Sequence, residues 1–95
     1  MAIQSFRDGR AEAILNGRWP GKGFPTVLVR VAARKLEQLE AAVSLDDLRF
    51  PPANRLKALK GDLAGRHAIR INDQFRLVFR WTDAGPADVE ILDYH

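Results

Sequence analysis

Three side chains that can hold or transfer protons stand together at the end of this sequence: Asp93, Tyr94 and His95. Among them, the imidazole is the group that most readily accepts and donates a proton near neutral pH. Chain ends are commonly frayed, but the apolar-rich stretch before Asp93 predicts a β-strand that would hold these residues in place. The ending therefore predicts proton-transfer chemistry at the end of a last strand.

Positive charge is concentrated in one part of the chain. Between Arg49 and Arg80 there are eight Lys or Arg residues and two acids, a local charge of +6. The remaining residues contain seven basic and ten acidic side chains, a net charge of −3. Such a basic segment favours a polyanionic partner such as nucleic acid, although charge alone is equally compatible with a solvated basic face.

RNA cleavage would use both features. The 2′-hydroxyl of RNA attacks the neighbouring phosphate when a base, an acid and a source of positive charge are supplied, and no metal is needed. His95 and Tyr94 are the candidate proton carriers, and Arg76 is the candidate clamp because its guanidinium can bind two phosphate oxygens. Further candidates for phosphate binding are Arg55, Lys57, Lys60, Arg70 and Arg80. The alternative is an ordinary basic surface that pairs with Asp62 and Glu90.

Several classes of protein are disfavoured by what the sequence lacks. It has no cysteine, two histidines and no H-E-x-x-H spacing, so we expect no thiolate chemistry, no metal site and no cofactor. No apolar run is long enough to cross a bilayer, so we expect a soluble cytoplasmic protein with no membrane partner.

The elements predict an α+β domain over residues 1–95. Asp8 can cap a short helix over 9–15, and an apolar stripe at helical spacing predicts a second helix over 25–43, followed by a capped turn over 44–48. Pro51-Pro52 predicts an extended segment, and residues 2–6 a short edge strand. From residue 66 the period becomes two, which predicts a three-stranded antiparallel meander with turns at 72–73 and 83–86. We expect both helices to pack on one sheet face, with Arg76, Arg80 and Glu90 on the other.

The aromatic residues and His67 are better explained by packing than by chemistry. His67 shares the strand phase of Ile69, which favours a helix-facing histidine over a catalytic one. Phe75 and Trp81 share the apolar phase of the next strand and are expected in the core, and Trp19 is expected to cover the core rather than stack on a base.

Three segments together resemble a known family. They are P-P-A-N-R-L-K-A-L-K-G-D (51–62), I-R-I-N-D-Q-F-R-L-V-F-R-W (69–81) and V-E-I-L-D-Y-H (89–95). In combination they are similar to the HigB-type toxins of the RelE/ParE superfamily, which belong to bacterial type II toxin–antitoxin systems. The resemblance covers nearly the whole chain, with the stretch 19–25 as an individual feature.

The resemblance implies a RelE-like fold and a ribosome-dependent mRNA interferase that cuts messages in the ribosomal A site. It also implies a helix-turn-helix antitoxin of the HigA type that forms a hetero-oligomer with the otherwise monomeric toxin. The family's functional positions fall on Lys60, Arg76 and the terminal Asp93, Tyr94 and His95. Some members have a catalytic histidine where this chain has Lys57, so cleavage here would depend more on positive charge.

Two other functions remain open at this point. The ParE branch of the superfamily poisons DNA gyrase on the same fold, although a gyrase poison would not need Lys60, Arg76 and the terminal triplet. A noncatalytic RNA-binding module would use the basic face alone and would be harmless when it is expressed by itself.

Overall fold

Two helices cover one face of a four-stranded antiparallel sheet in the computed structural model, which describes residues 2–93. The predicted α+β class, with helices on one face, is confirmed. The helices are α1 (Gly9–Leu15) and α2 (Thr26–Ala41), with 3-10 turns at Leu45–Arg49, Pro52–Asn54 and Gly61–Leu63. The strands, in spatial as well as chain order, are β1 (Lys57–Ala58), β2 (His67–Arg70), β3 (Phe75–Thr82) and β4 (Gly85–Asp93).

The helices begin and end for local reasons. The Asp8 carboxylate caps α1 by accepting a hydrogen bond from the Arg10 backbone N–H at 2.6 Å, as its position before the helix predicts. The predicted end of α2 at Val43 was two residues too late. The backbone N–H of Val43 donates instead to the Asp47 carboxylate at 2.9 Å, in the cap of the following 3-10 turn, and the Val43 side chain is 71% exposed.

The main core lies between α2 and the inner face of the sheet. Alternate residues of β3, among them Leu77 and Phe79, are fully buried together with Leu36 and Leu39 of α2. Each such leucine stabilises the fold by about 2 kcal/mol through burial. Asn72 stabilises the β2–β3 turn. Its side-chain oxygen accepts hydrogen bonds from the backbone N–H groups of Gln74, at 3.0 Å, and Phe75, at 2.8 Å.

The edges of the sheet differ from the sequence prediction. Residues 2–6 form no regular strand; the segment lies parallel to β4 in a single bridge between Phe6 and Val89. Three backbone hydrogen bonds fix it there, including Gln4 N–H to Pro86 C=O at 2.7 Å and Arg7 N–H to Val89 C=O at 2.9 Å. The fourth antiparallel strand is instead β1, which pairs with β2 and was not predicted from the sequence. Similarly, Pro52 opens a 3-10 turn rather than an extended run.

The outer face of the sheet has an apolar centre. Val78 of β3 and Ala68 of β2 are buried beneath Leu59, with Leu63 and Leu92 packed around them. This second cluster separates the charged residues of the outer face into two groups, one near the β2–β3 turn and one near the start of β4. No helix within residues 2–93 has the length and hydropathy of a membrane span.

Candidate functional site

Arg76 is fixed near the β2–β3 turn on the outer face. It lies directly opposite Arg70 of β2 on one side and Leu92 of β4 on the other. Its guanidinium donates hydrogen bonds to the backbone carbonyls of Asn72 and, at 3.2 Å, Phe75. These bonds hold a half-buried side chain in a defined place, which is what a phosphate clamp requires.

Two other predicted cations, Arg70 and Arg55, lie near the same turn. Arg70 forms an ion pair with Asp73, and the hydrogen bond and charge of Arg70 hold the pKa of the Asp73 carboxyl below its usual range. The charges of Arg76 and Arg55 lower this pKa further, so all three arginines act on one carboxylate. We call this cluster of Arg55, Arg70, Arg76 and Asp73 the turn cluster.

The register of β4 places Asp93, the last described residue, close to the turn cluster. Asp93 pairs with Phe75, next to Arg76 in β3, and its carboxylate accepts a hydrogen bond from the Gln74 side-chain amide at 3.0 Å. No pattern in the sequence indicated that Gln74 would hold Asp93. Tyr94 and His95 lie outside the described residues, so their catalytic assignment stays a prediction.

The two predicted lysines lie at different levels along β2. Lys57 is exposed and pairs with Ala68, two residues from Arg70 on the same face of the sheet. Lys60 is exposed as well, but it follows Leu59, whose backbone N–H binds the Arg66 carbonyl at 2.9 Å. The register therefore places Lys57 near the level of the turn cluster and the backbone of Lys60 farther from it.

Arg80 belongs to a separate charged group. Although it shares a strand and a face with Arg76, its Nε lies 3.1 Å from the Asp88 carboxylate. Nearby, Glu90 accepts from Arg66 at 2.9 Å in a pair whose side chains are only 15% and 13% exposed, and Arg7 approaches Glu90 at 3.8 Å. We call this set of three arginines and two acids the paired cluster. The structure does not bring Arg80 together with the turn cluster.

His67 faces the core, as its strand phase predicts. Its ring stacks on Phe79 with centroids 6.3 Å apart and an interplanar angle of 21°. Burial lowers the pKa of the imidazole, and the nearby charge of Arg49 lowers it further. A neutral, packed imidazole on the helix side of the sheet is remote from the outer-face arginines.

The predicted burial of aromatic residues was right for β3 and wrong for the loop between α1 and α2. Phe75 is 3% exposed and Trp81 packs at the margin of the core. Trp19, expected to cover the core, is 61% exposed. The loop buries Phe24 instead, whose ring lies 5.1 Å from that of Phe75.

Sequence reasoning also missed a role for Lys35. Lys35 of α2 is half-buried, and its Nζ donates a hydrogen bond to the Asn54 side-chain oxygen at 2.5 Å. Asn54 is completely buried, and its amide donates to Gln38 and to two backbone carbonyls. No three potential metal ligands come together within residues 2–93.

Comparison with known proteins identifies the family of this chain. Residues 4–95 match the family model described as the RelE-like toxin of type II toxin–antitoxin system HigB. The chain belongs to the HigB-like toxins. A type II toxin of this kind has a protein antitoxin as its partner.

Three individual proteins are similar to this chain in sequence or in fold. The toxin HigB-1 of Vibrio cholerae is 46% identical over 95 residues, which cover all of this chain and 98% of the relative. An uncharacterized protein of Haemophilus influenzae is 40% identical over 58 residues, 61% of this chain and 57% of its own length. A YoeB/ParE toxin from Agrobacterium tumefaciens has a similar fold, with a TM-score of 0.51 over the whole of both chains at 19% identity.

Proposed function

We propose that this HigB-like toxin is a ribosome-dependent endoribonuclease that cuts translated mRNA without a metal ion. One observation carries the proposal. β4 ends at Asp93 opposite Phe75, so the chain enters its terminal Tyr94 and His95 from a position beside Arg76. Asp93, the residue that precedes the two proposed proton carriers, thus lies beside the proposed phosphate clamp.

The cleavage step follows from the chemistry of RNA. The 2′-oxygen forms a bond to phosphorus as a base removes its proton, and the bond from phosphorus to the 5′-oxygen breaks as an acid protonates the leaving oxygen. His95 and Tyr94 are the proposed proton carriers in this step. Arg76 binds the oxygens of the scissile phosphate and stabilises the negative charge that develops on them.

The remaining basic residues bind the message. Arg70 and Arg55 of the turn cluster and Lys57 contribute positive charge along the strand, and Lys60 is carried over from the family motif. Asp93, whose carboxylate accepts a hydrogen bond from Gln74, is the third proposed catalytic residue beside Tyr94 and His95. Some family members have a catalytic histidine at the position of Lys57. Here the positive charge of Lys57 and Lys60 is proposed to take its place.

Recognition of the message is assigned to the ribosome. The guanidinium groups of the turn cluster are proposed to bind phosphate oxygens, and contacts to phosphate carry no information about the base sequence. The ribosomal A site would present the message in a fixed path, and free RNA would be a poor substrate. A helix-turn-helix antitoxin would neutralise the toxin in a hetero-oligomer.

The test is inducible expression of the wild type beside His95→Ala and Tyr94→Ala, with primer extension on an abundant message. Loss of a general acid or base is expected to reduce cleavage by about 10²- to 10⁴-fold. New 5′ ends inside codons should therefore be produced by the wild type alone, at equal protein levels. Full cleavage by both variants would show that the terminal residues have no part in the chemistry.

Two further outcomes would replace the proposal. DNA damage with intact mRNA on expression of the wild type would establish a gyrase poison. Absence of toxicity from a folded wild-type protein would favour a noncatalytic binding module.

A further inference from the structure

A cavity of about 370 Å³ opens beside the turn cluster, at the edge where α2 meets β2 and the 3-10 turn Pro52–Asn54. Its lining contains three basic residues and several aliphatic ones. We call Arg34, Lys35 and Arg70 its cationic wall and the aliphatic residues, which include Val31, Pro51 and Ile71, its aliphatic wall. We call this cavity the α2 pocket. It is not part of the site predicted from the sequence, except for Arg70.

The positive charges of the α2 pocket repel one another. Burial lowers the pKa of the Lys35 amine, and the charges of Arg34 and Arg70 lower it further. The hydrogen bond from Lys35 to the buried Asn54 nevertheless fixes the amine in the wall. An anion in the pocket would offset this repulsion, because it would be close to three cations at once.

Arg70, which lines the α2 pocket, has one hydrogen-bond donor that is not used. Nε of Arg70 is buried and has no acceptor among the described residues, while Nη2 of the same guanidinium binds Asp73. The burial of Nε also keeps this atom out of contact with the open cavity. The three cations of the lining therefore support the inference, and Nε does not.

The pocket is continuous with the proposed cleavage site through one pair of residues. Arg70 lines the pocket and lies directly opposite Arg76 in the β2–β3 ladder, where paired side chains are about 5 Å apart at Cβ. A strand of RNA that places one phosphate on Arg76 can therefore continue around the edge of β2 toward Arg70. The aliphatic wall is suited to the carbon skeleton of a ribose.

We propose that the α2 pocket binds a phosphate group of the single-stranded RNA whose scissile phosphate lies on Arg76. This inference rests on the proposed function for the direction of the strand. The phosphate oxygens accept hydrogen bonds from Arg34, Lys35 and Arg70, and two of these three donors are guanidinium groups, whose geometry matches phosphate. The pocket thus positions the message without reading its sequence.

The experiment measures binding of a five-nucleotide 2′-O-methyl RNA, which cannot be cut because it has no free 2′-hydroxyl. Arg34→Gln is the test variant, since Arg34 is exposed and the substitution keeps a long polar side chain. Arg30→Gln is the matched control: Arg30 is exposed one turn earlier on α2 and does not line the pocket. We expect Arg34→Gln to weaken binding about tenfold, equivalent to one charge-assisted contact, and Arg30→Gln to change it less than twofold.

The salt dependence provides a second readout. Removal of one phosphate-binding cation from a single-strand site reduces the slope of log affinity against log salt by about 0.7. Arg34→Gln should show this reduction and Arg30→Gln should not. Equal affinities and slopes for the two variants would overturn the proposal, as would the absence of RNA binding by the wild type.

Other ligands give distinct results. Inorganic phosphate added as a competitor should displace the RNA only at concentrations far above that of the oligonucleotide. If inorganic phosphate binds the wild type and Arg34→Gln abolishes that binding while RNA affinity is unchanged, the pocket is a free-phosphate site and the RNA proposal fails. If Arg34→Gln weakens only the complex with the co-expressed antitoxin, the ligand is a protein carboxylate and the proposal fails as well.

The proposed nuclease function and the proposed role of the α2 pocket can be disproved separately. Primer extension on the same variants measures cleavage independently of affinity. Cleavage by the wild type together with unchanged RNA binding by Arg34→Gln would reject the pocket alone. Weakened RNA binding by Arg34→Gln in a wild type that leaves messages intact would reject the nuclease alone.

Discussion

The two ends of β3 each place one arginine on the outer face of the sheet, but their surroundings differ. Arg80 faces the Asp88 carboxylate, and the paired cluster around it matches arginines with acids across the sheet. At the other end, the turn cluster adjoins the cationic wall of the α2 pocket. Basic residues gathered there are Arg34, Lys35, Arg55, Arg70 and Arg76.

The backbone of β4 explains part of this difference. The β3–β4 ladder is irregular between Val78 and Arg80, and Asp88 has a left-handed backbone with φ of 52°. This local change brings an acid within reach of Arg80. Near the turn, the ladder is regular and Arg76 has Leu92 opposite it in β4. The same residue type on the same strand face therefore has a carboxylate of its own at one end and shares Asp73 with two other arginines at the other.

The largest expected contrast is in activity. Arg76→Gln should reduce mRNA cleavage by about 100-fold, since removing one donor that stabilises developing charge costs at least that much. Arg80→Gln should reduce it less than about threefold, because the Arg80 side chain is paired with Asp88. Primer extension at equal toxin levels measures both.

A structural control is needed for Arg76, which binds the carbonyls of the turn. Arg76→Lys keeps the charge but loses the guanidinium fork, so it should recover only part of the activity at a comparable melting temperature. Equal losses for the Arg76 and Arg80 variants would remove the distinction between the two ends of β3.

A second contrast concerns stability within the paired cluster. Glu90→Gln should lower the free energy of unfolding by about 2 kcal/mol, because it weakens charge-assisted hydrogen bonding to the largely buried Arg66. Asp88→Asn should have a smaller effect, since the Arg80–Asp88 pair is more exposed and asparagine tolerates the left-handed backbone. Urea unfolding at pH 7 compares the two variants.

A larger loss of stability from Asp88→Asn than from Glu90→Gln would contradict the argument that the more buried ion pair contributes more. If Asp88→Asn were the more destabilising change, Asp88 rather than Glu90 would hold the paired cluster together. Neither substitution is expected to abolish cleavage, so both proteins should retain toxicity when they are expressed at wild-type levels.

The smallest expected effect is on acid stability, and it should occur at both ends of β3. Arg70 holds the pKa of Asp73 below 3.8 and Arg80 does the same for Asp88, in each case chiefly through a side-chain hydrogen bond. A carboxyl whose pKa is lower in the folded state stabilises the protein above its unfolded pKa, and this stability is lost as pH falls through the folded value. Asp73→Asn and Asp88→Asn should each flatten the loss of stability below about pH 4.

Urea midpoints measured from pH 6 to pH 2.5 test this prediction. The wild type should lose more stability over the acidic range than either variant, and the double variant should lose least. An unchanged acid profile in both single variants would mean that neither ion pair persists in solution.

Elements with a complete local signal could be predicted from the sequence. Asp8 before an apolar-periodic segment predicted α1 at its observed bounds, and Asn72-Asp73 between alternating segments predicted the β2–β3 hairpin. The alternation of β3 also predicted that Arg76 lies opposite the helices. In each case the information is contained within a few neighbouring residues.

Features that depend on distant contacts could not be predicted. β1 has only two residues, too few for a period, and it exists because β2 offers it an edge. The pairing of Arg80 with Asp88 depends on an irregular ladder, and the burial of Lys35 depends on Asn54 from a later turn. The choice of Phe24 over Trp19 for the core likewise follows from packing against Phe75.

The contact of the N-terminal segment with β4 constrains the order in which parts of the protein can fold. The Asp8 carboxylate caps α1 and also accepts a hydrogen bond from the Ile91 backbone N–H at 2.9 Å, 83 positions later in the chain. Contacts between such distant positions form late and slow the folding of a domain. During translation, α1 and the segment before it must wait for β4 to be synthesised. The sheet of a nascent toxin chain therefore cannot form in full before β4 has been synthesised.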